Sequence, residues 1–524
     1  LTLNLGLRWE WDQQAINLLH DISVQNVAQG IWTGPTNVTE IPALPQQLHQ
    51  FEPNFGFAYT PKIAQRFFGD GKTVIRGGYR IAYDPSFYNI FLNVATSAPV
   101  VNLGSFNNQA LISNPIASAV DSAYFSQIPE GGNPGSRNQT RVSSDFHQPM
   151  VQQWSFGFER QIAGRMGFES RYVGNHATGQ FETIDGNPLL TSIPSQDIPS
   201  GVTPCTTAGA AGLGRPDCNF GNLRVRNNGA FSRYNGWQNQ LTVRDYHNLT
   251  ATVGYTFSKT IDSVSEIFAA TGGGISNPAP ENPFDPTVRE KGLSAQNFPH
   301  IFNVTWVYSI PFLRDQQGLI GHIFGGWQWA GDYEFQSGTP VGLFQNVTNP
   351  ACDVSWNNAF VGTDSCRPII SNASAPINTV GRYTSASSLV DNSTGLPTTP
   401  GAVHWLVNNA FADAAVCNGD PFACTVGRNT IVGMARNNMD LSMQKNFKVT
   451  ERFTFQARID ALNALNYQYR GAPGVNVNSR NVNGVSGNTL APGSFMDNLL
   501  NSNSSPGASG TSVRALILSG HIYF

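Results

Sequence analysis

The sequence predicts an all-β chain, a transmembrane antiparallel up-and-down β-barrel of about twelve strands by period-two reading. Three observations carry this. Apolar and polar residues alternate in segment after segment. The connections between segments alternate long and short. Only 12% of residues are charged, against about 25% in an average globular domain.

Alternation is clearest in residues 437–466. Met439, Leu441, Met443 and Phe447 share one parity, and Asn438, Asp440, Ser442, Gln444 and Asn446 the other. After a tight polar connection around Thr450 and Glu451, Phe453, Phe455, Ala457, Ile459 and Ala461 oppose Thr454, Gln456, Arg458 and Asp460. Successive strand side chains point to opposite faces, so this is a hairpin with one apolar and one polar, charged face.

The other strands follow in chain order. Residues 1–11 place Leu1, Leu3, Leu5, Leu7, Trp9 and Trp11 opposite Thr2, Asn4, Arg8 and Glu10. Phe55, Phe57 and Tyr59 are in phase in 51–59, while in 72–83 Ile75, Tyr79, Ile81 and Tyr83 oppose Arg76 and Arg80. Residues 151–160 set Trp154, Phe156 and Phe158 against Gln153, Ser155 and Glu159. In 166–174, Phe168 and Tyr172 stand opposite Glu169 and Arg171. Strands at 237–246 and 249–258 are joined through only His247 and Asn248, a hairpin-length connection. Residues 300–310 come next, then 327–336 with Trp327, Trp329, Tyr333 and Phe335 against Gln328, Asp332 and Glu334. Residues 512–524 close the chain. Because residues 1–11 are already a strand in progress, with no signal segment before them, the chain is expected to be the C-terminal part of a longer protein.

The connections run long, short, long, short without exception. The short ones are 61–71, 161–165, 247–248, 311–326 and 448–451. The long ones are 12–50, 84–150, 175–236, 259–299, 337–436 and 467–511. Short turns on one rim and long loops on the other are the pattern of outer-membrane barrels. The long loops are rich in Asn, Ser, Gly, Thr and Pro, which predicts solvated loops rather than additional core. All the cysteines fall in two of these loops, as the close pairs Cys205/Cys218, Cys352/Cys366 and Cys417/Cys424. The pairs predict local disulfides in an oxidising compartment, although sequence alone does not decide connectivity. CxxC spacing, which a Cys₄ metal site would usually show, is absent.

A soluble β-sandwich would alternate too, and three features weigh against it. Charges sit at mid-strand on the polar parity and almost never on the apolar one, as expected if an Arg or Lys at mid-bilayer costs about 2–4 kcal/mol. Trp and Tyr recur near strand ends on the apolar side, at Trp9, Trp11, Trp154, Tyr172, Trp237, Trp306, Tyr308, Trp327 and Trp329, like an interfacial girdle. Finally the chain ends Gly520-His521-Ile522-Tyr523-Phe524. The spacing of Gly520, Ile522 and Phe524 resembles the assembly signal on the last strand of bacterial outer-membrane barrels. That resemblance implies the barrel-assembly machinery and outer-membrane lipid as partners.

Three stretches go further: GKTVIRGGYRIAYD (71–84), YNGWQNQLTVRDYHNLTATVGYTFSKTID (234–262) and NNMDLSMQKNFKVTERFTFQARIDALNALN (437–466). They resemble TonB-dependent outer-membrane receptors, nearest the Oar-like subgroup with an upstream carboxypeptidase-regulatory-like domain. The likeness lies in the strands and spans nearly the whole chain. It implies a barrel of about 22 strands around an N-terminal plug, with residues 1–524 as its C-terminal portion. The signal peptide, the plug and the early strands would lie outside it. It also implies an energy-coupling TonB complex acting through that missing N-terminal region. The expected location is the bacterial (Gram-negative) outer membrane, with long loops extracellular and Phe524 at the periplasmic rim.

Nothing in the sequence reads as an active site. The histidines are scattered, no HExxH or GxSxG occurs, and Gly272–Gly274 is a loop run. No cofactor, metal or nucleic-acid partner is expected, the net charge being −3. The one chemical set is the inward charge: Arg76, Arg80, Glu169, Arg171, Asp332, Glu334, Asp440, Arg458 and Asp460. These either pair with one another and with water across the wall, or hold a plug or line a substrate path. Both signs are present, so no ion selectivity follows. The expected function is transport of an unknown extracellular ligand captured by the long loops. A surface adhesion or assembly barrel and an outer-membrane barrel hydrolase are the alternatives.

Overall fold

A computed structural model describes residues 1–11, 14–29, 40–85, 88–96, 100, 139–265 (apart from 194, 211 and 222), 280, 282–286, 290–342, 427–467 (apart from 434, 449 and 451) and 514–524. It also describes the backbone of short strands between 369 and 412 and at 495–496. Twelve long strands lie in one antiparallel sheet whose spatial order is the chain order. They are β1 (Thr2–Glu10), β2 (Gln50–Tyr59), β3 (Thr73–Tyr83), β4 (Met150–Ala163), β5 (Met166–Asp185) and β6 (Leu223–Tyr246). After them come β7 (Leu249–Asp262), β8 (His300–Ser309), β9 (Trp327–Gln336), β10 (Arg436–Lys448), β11 (Thr454–Leu462) and β12 (Ala515–Tyr523). Two short strands, Gln139–Val142 and Gly292–Leu293, add to β6 and β7 and bring the sheet to fourteen. β1 and β12 are its two edges. No helix among the described residues is long and apolar enough to cross a membrane.

Register carries the two-faced pattern from strand to strand. Ile75 pairs with Phe158, Tyr79 with Trp154 and Phe156 with Tyr172. Farther along, Trp329 pairs with Met443, Met443 with Ile459, and Ile459 with Leu518. Directly opposed residues share a face, so these pairs build one continuous apolar surface. It stays open: Leu5, Phe156, Trp237, Ile459 and Leu518 are all at least half exposed. Glycines make room on it for large rings. A Cβ at Gly174 would lie 2.4 Å from the Trp154 ring, and one at Gly331 would lie 2.3 Å from Trp306.

The predicted strands are all present, with two corrections to length. β5 and β6 run 20 and 24 residues, about twice the 9–11 that a tilted span needs. The register breaks between Ala177 and Glu182, and beyond it the hairpin leaves the barrel wall. The tight turn at His247 and Asn248 has φ of 50° and 68°, the left-handed pair of a two-residue hairpin. The short connections are less simple than their lengths imply. Those at 61–71 and 311–326 contain helices α2 (Gln65–Phe68) and α4 (Gly318–Phe324).

The long-loop rim departs from expectation more strongly. Its described residues include a packed core, where solvated loops alone were expected. Ile16 and Leu19 from α1 (Ile16–Ala28), Ile90 and Val94 from α3 (Tyr88–Ala95), and Ile41, Leu44, Val142, Phe146 and Phe181 form one buried cluster. The Phe146 and Phe181 rings stack with centroids 5.0 Å apart. Asn17 reads the backbone of Leu44 in both directions, its amide donating to the carbonyl at 2.9 Å and its oxygen accepting the N–H at 2.7 Å. Composition misled here because few apolar residues, drawn from separate loops, suffice to make one cluster.

Phe146 is fully buried. Phe146→Ala is expected to destabilise this rim by about 3–5 kcal/mol. Hydrogen exchange should show faster exchange in α1 and α3, while the strands of the wall keep their protection.

Candidate functional site

The polar face carries all nine charges singled out in the sequence, and register divides them between two walls. On the first, Arg76 pairs with Glu159 at 2.9 Å, and Arg80 donates to Gln153 at 2.6 Å. Arg171 lies 3.6 Å from Glu169 and donates to Gln238 at 2.8 Å. On the second, Arg458 holds Asp460 at 2.8 Å, and Glu334 lies 3.7 Å from Arg436. Asp332 and Asp440 stand directly opposite each other across β9 and β10. Asp440 accepts the Asn463 N–H at 2.8 Å. Between the walls, β7 and β8 offer Thr250, Thr252, Asn303 and Thr305 at the same level. A depression of about 470 Å³ lies over the second wall and is lined by Thr252, Thr305, Asp332, Asp440, Arg458 and Asp460. Another of about 400 Å³ lies by Glu159, Glu169 and Arg165.

Both signs therefore occur on each wall. Arginine outnumbers carboxylate on the first, and carboxylate outnumbers arginine on the second. Most of these ions are exposed and paired, so each pair is worth at most about 1 kcal/mol of stability.

Sequence reasoning missed the polar residues that build the long-loop rim. Asn187, fully buried, closes the end of the β5–β6 hairpin. Its amide donates to Phe220 and Gly221 at 2.7 and 2.8 Å, and its carbonyl accepts from Arg215 at 2.6 Å. Arg215 also reaches Asp185 at 3.3 Å, and a disulfide joins Cys205 to Cys218 nearby. That disulfide is the predicted local one; Cys352, Cys366, Cys417 and Cys424 lie outside the described residues. Arg428, also fully buried, ties three segments together. It donates to the carbonyl and carboxylate of Asp262 at 2.8 and 3.0 Å and to the Glu290 carbonyl at 2.8 Å. Neither residue sits in an alternating segment, so a period-two search passes over both.

Lys445 interrupts the apolar parity of its strand. It shares a face with Met443 and Phe447, yet it is 2% exposed. Its ammonium donates to the carbonyls of Gly325 and Asn446 and lies 4.4 Å from the Phe447 ring centroid. Gly520, Ile522 and Phe524 run along the apolar face of β12, with Gly520 opposite Ala457 and Ile522 opposite Phe455. No three His, Cys, Asp or Glu side chains among the described residues are grouped to hold a metal ion.

Residues 1–493 match the family described as outer membrane beta barrel domain, and the chain belongs to that family. It is an outer-membrane β-barrel chain. Among solved structures it is similar to the outer membrane transporter YddB from Escherichia coli, at 9% identity, over 91% of this chain and 41% of that one, with a TM-score of 0.38. It is also similar to the ferripyoverdine receptor of the outer membrane of Pseudomonas aeruginosa, at 9% identity over 93% and 34%, TM-score 0.35. A third is the siderophore receptor PiuA from Acinetobacter baumannii, at 6% identity over 90% and 36%, TM-score 0.36. The chain spans less than half the length of these proteins. No curated protein matches.

Glu182 offers a titration to follow. It lies on the β5 extension beyond the wall, and burial pushes its carboxyl up to about 7; a hydrogen bond with Asn227 opposes the shift and the charge of Glu290 adds to it. The folded rim thus binds this proton more tightly than the unfolded chain, so stability falls as pH rises from about 4.5 to about 7. Hydrogen exchange of the β5–β6 extension should show more protection near pH 5 than near pH 8, by roughly 3 kcal/mol at most. Glu182→Gln should flatten that dependence, and an unchanged slope would assign it to another group.

Proposed function

We propose that this chain is the C-terminal barrel portion of a TonB-dependent outer-membrane transporter. The long loops capture a ligand outside the cell, and energy coupling through an N-terminal plug opens the passage. The observation that carries this reading is the asymmetry between the rims. Long connections on one side fold into a buried core and two hydrogen-bonded knots at Asn187 and Arg428. The connections on the other side are shorter. A rim held in one conformation loses less entropy on binding than free loops do, so it suits capture. The likeness of residues 71–84, 234–262 and 437–466 to TonB-dependent receptors supports the same class. On this reading the long loops are extracellular, Phe524 is periplasmic, and twelve strands make up somewhat more than half of a barrel of about 22.

The two charged walls then face the lumen, where they meet the plug or the moving ligand. Arg458 and Asp460 are positioned for that contact, since their pair lies in the depression beside Asp332 and Asp440.

The complete gene, restored to a deletion strain, tests the proposal. Cells should bind the ligand at the surface with or without the coupling protein but accumulate it only with coupling intact. Arg458→Gln with Asp460→Asn should lower uptake and leave surface binding unchanged. Uptake that persists without coupling overturns the transporter reading in favour of a passive channel, and surface attachment without any uptake points to an adhesion barrel.

A further inference from the structure

The connection at 311–326 is long for a short-turn rim, and its helix is turned outward. Two side chains of the apolar face hold it there. Trp327 donates its indole N–H to the Ile323 carbonyl at 3.1 Å, and the Lys445 ammonium donates to the Gly325 carbonyl. Both Trp327 and Lys445 carry the parity of Met443 and Trp329, and they stand opposite each other in register. Groups projecting from the lipid side of the wall can reach the helix carbonyls only if α4 lies outside the wall. Gln316, nearly buried, fixes the turn to β10 by donating to the Asn446 carbonyl at 2.8 Å and accepting the Lys448 N–H at 3.0 Å.

The helix is two-sided. Gly321 and Gly325 pack inward, where a Cβ on Gly321 would meet the Gln316 backbone at 2.8 Å and one on Gly325 the Leu313 carbonyl at 1.8 Å. Leu319, Ile320, Ile323 and Phe324 form the other side, exposed by 78%, 67%, 50% and 57%, and Phe312 beside them by 61%. In water this would be an unusually large apolar patch for so short a segment. It adjoins Trp327 of the apolar face, whose indole donates to the Ile323 carbonyl. Arg314, Lys448 and Arg452 are exposed on the same rim, against Asp315.

We propose that α4 is an interfacial membrane helix that seats its apolar side among the phospholipids of the periplasmic leaflet. Lys445 and Trp327 act as its tethers to the wall. The orientation rests on the transporter reading above; the burial in lipid rests only on the outer-membrane barrel. Helices of this kind lie in the plane of the interface with the apolar side in the acyl boundary and cationic residues at headgroup level. The assignment also accounts for Lys445. A lysine on a lipid-facing parity is costly unless its charge is satisfied, and the exposed carbonyls at the C-terminal end of a helix attract a cation.

The test uses the full-length protein, reconstituted in bilayers of phosphatidylethanolamine and phosphatidylglycerol. A nitroxide is placed at Ile320→Cys, and in separate samples at Leu518→Cys on the apolar face and at Ser200→Cys on the long-loop rim. Collision with oxygen, which concentrates in the acyl region, is compared with collision with a water-soluble nickel chelate. The oxygen-to-nickel ratio at residue 320 should be several-fold above that at residue 200 and approach that at residue 518. A ratio at 320 equal to that at 200, with 518 reporting lipid, overturns the interfacial helix and leaves the barrel standing. Water-like ratios at both 320 and 518 overturn the membrane placement beneath it.

Discussion

A backbone amide or carbonyl in hydrocarbon has no water to bond, and each one left unmade costs several kcal/mol. The rest of the structure depends on that constraint. Within the sheet it is met by pairing each strand with its neighbour in sequence, which leaves only the outer edges of β1 and β12 unpaired among the described residues. Local pairing of this kind needs only short turns on one side, which frees the other side to carry long insertions. The same constraint fixes the side chains. A strand paired on both edges can vary only its two faces, so lipid selects one parity and the polar interior the other.

Beyond the hydrocarbon the constraint lapses, and a different logic takes over. The β5–β6 hairpin rises out of the wall and meets protein on both faces. There it buries Phe181 against α1 and α3, and Arg226 against Thr183 and Asn93. Burial lowers the Arg226 guanidinium to about 10, with the neighbouring Arg224 adding to the shift. Buried ions of this sort are weak sources of stability but costly to break singly. They hold one arrangement of the loops rather than many.

What was legible in the sequence follows the same division. Strands such as Trp327–Gln336 could be read to the residue because each face has one environment throughout. Loop alternation gave the meander, and parity gave every one of the nine polar-face charges. The juxtaposition of Asp332 and Asp440 was not visible, because it arises only when register sets the two strands side by side. The upper halves of β5 and β6 were lost for another reason: once both faces are buried, period two fades, and the bulges near Gln180 shift what remains. Helix α1 did leave a signal in the spacing of Ile16, Leu19 and Ile22, a helical period that a search for strands does not register. Lys445 breaks the apolar parity of its strand. Its explanation lies in Gly325, 120 residues away.

The central claim is that parity in the sheet separates lipid from the aqueous interior. A cysteine scan of Met439, Asp440, Leu441, Ser442, Met443 and Gln444 in the membrane-embedded full-length protein tests it most directly. Cysteines at 440, 442 and 444 should react with a water-soluble maleimide, whereas those at 439, 441 and 443 should resist it and react with a lipid-phase probe. Reactivity with no dependence on parity, or with the parity reversed, would contradict the account.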